Sequence, residues 1–221
     1  ADPAYAKPVA PLAVFRKGKP NGSSQPLPFR YTISLRLPSP LKEGATYAIR
    51  FHGVNTAKET VAYTHLPRTV RSLAIHAIQT GYRPDDPYKR AYLSFWMGVD
   101  AEGKHGSCTH TPGAFELLDA AGRTVFTGKP ELAKAGGAEE QISIHEKADY
   151  TKAAVHRLDF SDFKTPGEYR VFVPGVGVSG AFRLARDVWE QPFRAAMLGI
   201  FTQRQGIELG PPATAYRRAR T

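Results

Sequence analysis

Short runs in which apolar and polar residues alternate recur along most of the chain, and a period of two is the mark of half-buried strands. In FRYTISLRL the residues Phe29, Tyr31, Ile33, Leu35 and Leu37 alternate with polar neighbours almost without fault, which predicts a strand with one buried face. AVFRKG, TYAIRFHG and ETVAYTH read as further strands, and LPSPLKEG at 37–44 reads as a proline- and glycine-rich turn. Residues 1–12 are rich in proline and alanine and read as an extended arm. Residues 1–71 are therefore expected to form an N-terminal β module, a small sandwich or part of one, which leans on its neighbour because so short a unit is marginal alone.

A second β-region covers 72–186. Strands are expected around 73–79 and 90–97, joined by a loop holding Gly81, Pro84 and Pro87. AFELLDAAGRTVFTG predicts a hairpin with its turn at Asp119-Ala120-Ala121-Gly122, and 129–153 reads as less regular, with a surface loop. VHRLDFSDFKTPGEYRVFV predicts a β-pair, with Tyr169, Val171 and Val173 facing one way and a corner at Lys164-Thr165-Pro166-Gly167. GEYRVFVPGVGVSGAFRLARD adds strands, so the count reaches the seven of an immunoglobulin-like sandwich. From Asp187 the spacing of Val188, Phe193, Met197, Leu198, Ile200 and Phe201 predicts a helix, with Asp187 as N-cap and Gly206 as its stop. The fold class is thus mostly β: two β-sandwich modules, the second immunoglobulin-like, followed at 187–221 by a C-terminal helix and loop.

Composition agrees. The 221 residues include 20 Gly and 18 Pro, high for a helical protein, and 42% are hydrophobic, enough to fill a core. No apolar run approaches the roughly 18–20 residues that span a bilayer, so no membrane partner is expected. The start lacks the pattern of a signal peptide, as in a mature exported chain or one whose start a cloning vector supplied. The lone Cys108 excludes an internal disulfide. The net charge of +10 favours anionic surroundings, but apart from Arg217, Arg218 and Arg220 the cations are dispersed. No basic helix or RNA-binding aromatic signature accompanies them, and no nucleic-acid partner is expected.

Candidate chemistry is sparse. Two carboxyl groups facing each other across a cleft, with their pKa values pushed apart, can serve as general acid and base. Asp85-Asp86 and Glu139-Glu140 read as a surface turn and a polar loop rather than as such a pair. His105, Cys108 and His110 form the one metal-like constellation, a weak candidate because the spacing matches no standard site and a fourth ligand is not visible. His76, His145 and His156 read as hydrogen-bonded structural residues. GVGVSG at 175–180 precedes a strand and reads as a turn, not a phosphate loop, and Ser179 lacks a nucleophile-elbow frame. No catalytic residue and no cofactor are assigned. Tyr82, Tyr88, Tyr92, Trp96 and Trp189 could stack on sugar rings, but core packing is the default for them, and alternation puts Tyr92 and Trp96 on one strand face with Ser94.

The order of these segments resembles the N-terminal immunoglobulin-like domain of family 9 glycoside hydrolases, together with the start of their catalytic domain. The resemblance covers about 73–210 and rests on Gln79-Thr80-Gly81-Tyr82, on Asp159-Phe160-Ser161 with Pro166-Gly167-Glu168-Tyr169, and on Gln203-Arg204-Gln205-Gly206. Gln205 departs from it, since many members carry cysteine there. The family's acid and base carboxylates, in a D-A-G-D segment and a distant glutamate, have no counterpart here.

The resemblance implies a non-catalytic front end of a secreted or periplasmic, inverting polysaccharide hydrolase, stabilising and positioning an α/α toroid catalytic domain of the same protein. Trp189 and Phe193 are then expected at the surface that meets the toroid or at the junction of sandwich and helix. The alternative is a stand-alone carbohydrate-binding module for an acidic or β-linked polysaccharide.

Overall fold

The computed structural model describes residues 2–22, 28–54, 56–204, 206–212 and 214–219. Gln205 and Arg220, singled out above, lie outside the described residues, as do the ends of the arm and of the C-terminal loop. The described chain is mostly β, arranged in antiparallel sheets, with a C-terminal α-helix at Glu190–Thr202.

Two sheets face each other in the sandwich. One is ordered Glu131–Lys134, Val155–Asp159, Arg90–Leu93, Ile75–His76. The other is ordered Thr124–Gly128, Phe115–Asp119, Gly167–Val173, Gly177–Val178, and Phe182–Leu184 pairs with Gly167–Val173 as well. Alternation sends Ala91, Leu93, Leu158 and Phe160 inward from the first sheet, against Phe115, Leu117, Tyr169, Val171 and Val173 from the second. Tyr82, Phe160 and Phe182 add edge-on and stacked ring contacts at centroid distances of 5.1–5.6 Å. Phe172, Leu118 and Val178 point the other way and are buried nonetheless. The segment before the sandwich runs along Val178, which exchanges backbone bonds with Val70 and Ser72, and Arg68 lies 4.8 Å over the Phe172 ring.

The DFS…PGEY stretch differs from the expected β-pair. Val155–Asp159 and Gly167–Val173 belong to opposite sheets and are not paired with each other. The corner carries the chain across the sandwich, and both strands still show a period of two because each has one inner face. Tyr169 closes the corner, its hydroxyl donating to the Thr165 and Pro166 carbonyls at 3.1 and 3.3 Å, the arrangement of a tyrosine corner. Asp159 braces the other end, accepting from Ser161 and from Arg90 Nε at 2.7 Å.

The expected strand at 90–97 is two strands, Arg90–Leu93 and Trp96–Val99, in different sheets. Tyr92 and Trp96 therefore do not share a strand face. Trp96–Val99 pairs with His105–Ser107 and meets the N-terminal hairpin through Arg16 opposite Val99. Gly98 permits this approach: its φ is +107°, and a Cβ there would overlap the Arg16 carbonyl.

That hairpin, Ala13–Pro20 with Phe29–Arg36, has the predicted alternation but the opposite side covered. Phe15, opposite Ser34, is buried over Gly106, whereas Phe29, Tyr31, Ile33 and Leu35 are exposed. A second hairpin, Thr46–Arg50 with Thr60–Thr64, forms its own two-stranded sheet. The arm is not wholly extended. Asp2 caps a 3-10 turn at Pro3–Tyr5, the Tyr5 hydroxyl binds Ser39, and the Tyr47 hydroxyl bonds to Asp2, tying the arm to the second hairpin.

Candidate functional site

The helix Glu190–Thr202 follows the last sandwich strand by five residues. Asp187 does not cap it: its carboxylate takes the Arg183 guanidinium at 3.0 and 3.3 Å, and Trp189 occupies the N-cap without a side-chain bond. Glu190 and Arg194, four apart, pair at 2.7 Å on the exposed first turns. Gly206, with a φ of +74°, lies three residues beyond the C-cap Gln203.

Val188, buried, anchors the junction between sandwich and helix. Beside it a cleft of about 480 Å³ separates the Gln79-Thr80 turn from the first helical turns, with Arg183, Asp187, Gln191 and Pro192 on its walls. No helical side chain is buried. Trp189 is 46% and Phe193 65% exposed, and with Met197 and Ile200 they follow spacings of four, four and three residues. That spacing puts one apolar stripe on the helix, exposed along its length.

Asp85, Asp86 and Glu140 are each held by hydrogen bonds to nearby groups. Asp85 takes Arg83 at 2.9 and 3.1 Å, which with the neighbouring backbone holds its carboxyl below the usual range. Asp86 accepts from the Arg83 amide at 2.7 Å. Glu140 accepts the Thr151 and Tyr150 amides, and those bonds likewise depress its pKa. Among the described residues no group of three or more His, Cys, Asp or Glu side chains is placed to hold a metal. His105 Nδ1 bonds the Trp96 indole nitrogen at 3.1 Å, the Cys108 amide bonds the Phe95 carbonyl, and His110 packs beside Gly175.

The stacking candidates divide. Tyr82 is a core residue whose hydroxyl donates to the Arg90 carbonyl at 2.6 Å, and burial pushes its pKa up to about 12. Tyr88 and Tyr92, for which the core was the default, are exposed at 68% and 40%. Tyr92 lies on the outer face of the first sheet, in a row with His76, Arg157 and Glu131 fixed by strand register.

Sequence reasoning missed Lys89, which is fully buried. Its ammonium donates to the Pro84 and Asp86 carbonyls at 3.1 and 2.8 Å, so the RPDDP loop wraps around it, and desolvation lowers its pKa. No periodic signal announces a buried lysine, because its partners are main-chain carbonyls.

Residues 72–178 match the family described as cellulase N-terminal ig-like domain. A stretch of 59 residues is 45% identical to Endoglucanase D of Acetivibrio thermocellus, covering 27% of this chain and 9% of that protein. The chain thus matches under a tenth of that relative's length. Among solved structures, a metagenome-derived glycoside hydrolase family 9 endoglucanase aligns over 66% of this chain and 24% of its own, with 24% identity and a TM-score of 0.48. A Bacteroides ovatus GH9 protein aligns over 66% and 22%, with 24% identity and a TM-score of 0.43.

Proposed function

We propose that the chain, whose residues 72–178 match the family described as cellulase N-terminal ig-like domain, is the non-catalytic front of an exported family 9-type glycoside hydrolase acting in polysaccharide degradation. Its sandwich stabilises and positions an α/α toroid catalytic domain of the same protein. The observation that carries this reading is the apolar stripe on the helix Glu190–Thr202. A helix with no buried side chain gains nothing from the sandwich core, and a stripe of large apolar residues in water marks a surface meant for cover. The short, ion-paired link at Arg183–Asp187 and the buried Val188 hold that helix close to the sandwich, so whatever covers the stripe is held with it.

The test compares the toroid-bearing protein with its Trp189→Ser, Phe193→Ser variant. The catalytic domain's melting temperature should fall by several degrees, while the isolated 221-residue chain changes by about 0.5 kcal/mol or less because both positions are already exposed. The isolated chain should hydrolyse no β-glucan. An unchanged melting temperature in the toroid-bearing variant overturns the docking role.

A further inference from the structure

The outer face of the sheet containing Arg90–Leu93 is polar and aromatic rather than apolar. Tyr88, Arg90 and Tyr92 alternate onto it, and the Arg90 guanidinium sits 4.6 Å over the Tyr88 ring while its Nε reaches Asp159 at 2.7 Å. The next strand brings Arg157, ion-paired with Glu131 across the register. Each cation here faces its own carboxylate, so the face is close to neutral although the whole chain carries +10.

Exposed tyrosine rings with fixed hydrogen-bonding groups between them suit a ligand with apolar C–H faces and many hydroxyls. Local neutrality selects against a polyanion, which would be drawn to the unpaired cations elsewhere. The two tyrosines lie four residues apart on an extended segment, on the order of 13 Å, which exceeds one sugar ring and calls for a chain.

We propose that this sheet face binds a neutral polysaccharide chain, with Tyr88 and Tyr92 stacking on its sugar rings and the Arg90–Asp159 pair bonding its hydroxyls. The polysaccharide class rests on the functional reading above; the site does not involve the helix stripe.

Affinity electrophoresis of the full chain through gels holding hydroxyethylcellulose, with polygalacturonate gels in parallel, tests it. The wild type should be retarded by the neutral polymer at low and at high salt. The Tyr88→Ala, Tyr92→Ala variant should bind about tenfold more weakly with an unchanged circular dichroism spectrum, and Tyr92→Phe, which keeps the ring, should stay near wild type. Absence of retardation, equal retardation of the double alanine variant, or retardation only by polygalacturonate and lost in salt would each overturn the proposal. If the double variant instead lowers the melting temperature of the toroid-bearing protein while retardation stays the same, the face is a domain contact and the proposal fails. Failure of the helix-docking test leaves retardation where it is, so the two readings fail separately.

Discussion

Replacing Gly81 by alanine probes the point where the Gln79-Thr80-Gly81-Tyr82 turn meets the last sandwich strand. Gly81 has a φ of +101°, and a Cβ there would overlap the Arg183 carbonyl oxygen. Backbone, not a flexible side chain, stands in the way, so the turn must move. The move strains the two bonds that join Tyr82 to this strand, Tyr82 N to Arg183 O at 2.9 Å and Ala185 N to Tyr82 O at 3.1 Å. The left-handed conformation alone costs a residue with a Cβ about 1–2 kcal/mol. Each weakened bond adds about 1 kcal/mol, so Gly81→Ala should destabilise by about 3–4 kcal/mol. For a chain of this size that corresponds to a drop of about 6–16 °C in melting temperature.

Gly122→Ala is the control: its φ of +77° carries the same kind of strain, but nothing lies within 4 Å of the added methyl. It should cost only about 1–2 kcal/mol. Urea denaturation followed by near-ultraviolet circular dichroism measures both, with m held constant. If Gly81→Ala costs no more than Gly122→Ala, the close approach to Arg183 is not what demands glycine, and the reasoning is refuted.

Two further outcomes follow from the corner between the sheets. Tyr169→Phe should lower the urea midpoint by the equivalent of about 1 kcal/mol at unchanged m, because the Thr165 and Pro166 carbonyls it releases are at the surface and regain water. Burial alone would raise the Asp159 pKa, but the bonds from Ser161 and Arg90 outweigh it and hold the carboxyl below 3.8. A depressed folded-state value stabilises the fold above pH about 3.8, and that stabilisation is lost as the pH falls through the folded value. Asp159→Asn should therefore cost about 1–2 kcal/mol at neutral pH, and the gap to wild type should close in acid titrations of stability; a gap independent of pH would contradict the assignment.

Periodicity located most strands and the helix, since the alternation of a strand and the spacing of an amphipathic helix are local consequences of backbone geometry. The Asp119–Gly122 turn was legible for the same reason: its glycine has the positive φ that the tight turn needs. The Tyr169, Val171 and Val173 face was legible too, and it lines the core.

What a local pattern does not carry is the identity of the neighbour. The same alternation in FRYTISLR serves a hairpin whose covered side is the Phe15 side, because Gly98 and Gly106 let that side approach the strands at 96–107. Val155–Asp159 and Gly167–Val173 look like a pair along the chain, but the tyrosine corner sends them to opposite sheets. Lys89, an unremarkable surface residue in sequence, is buried where the RPDDP loop just before it turns the Pro84 and Asp86 carbonyls onto its ammonium and the distant Ser161 hydroxyl accepts its amide. Sequence by itself determined the β class and the helix, which rest on residues close along the chain, and the family resemblance, which rests on the order of short motifs along it. Which face is wet, and hence that Tyr88 and Tyr92 are free for a ligand while Tyr82 is locked in the core, depended on long-range packing that only the tertiary structure decides.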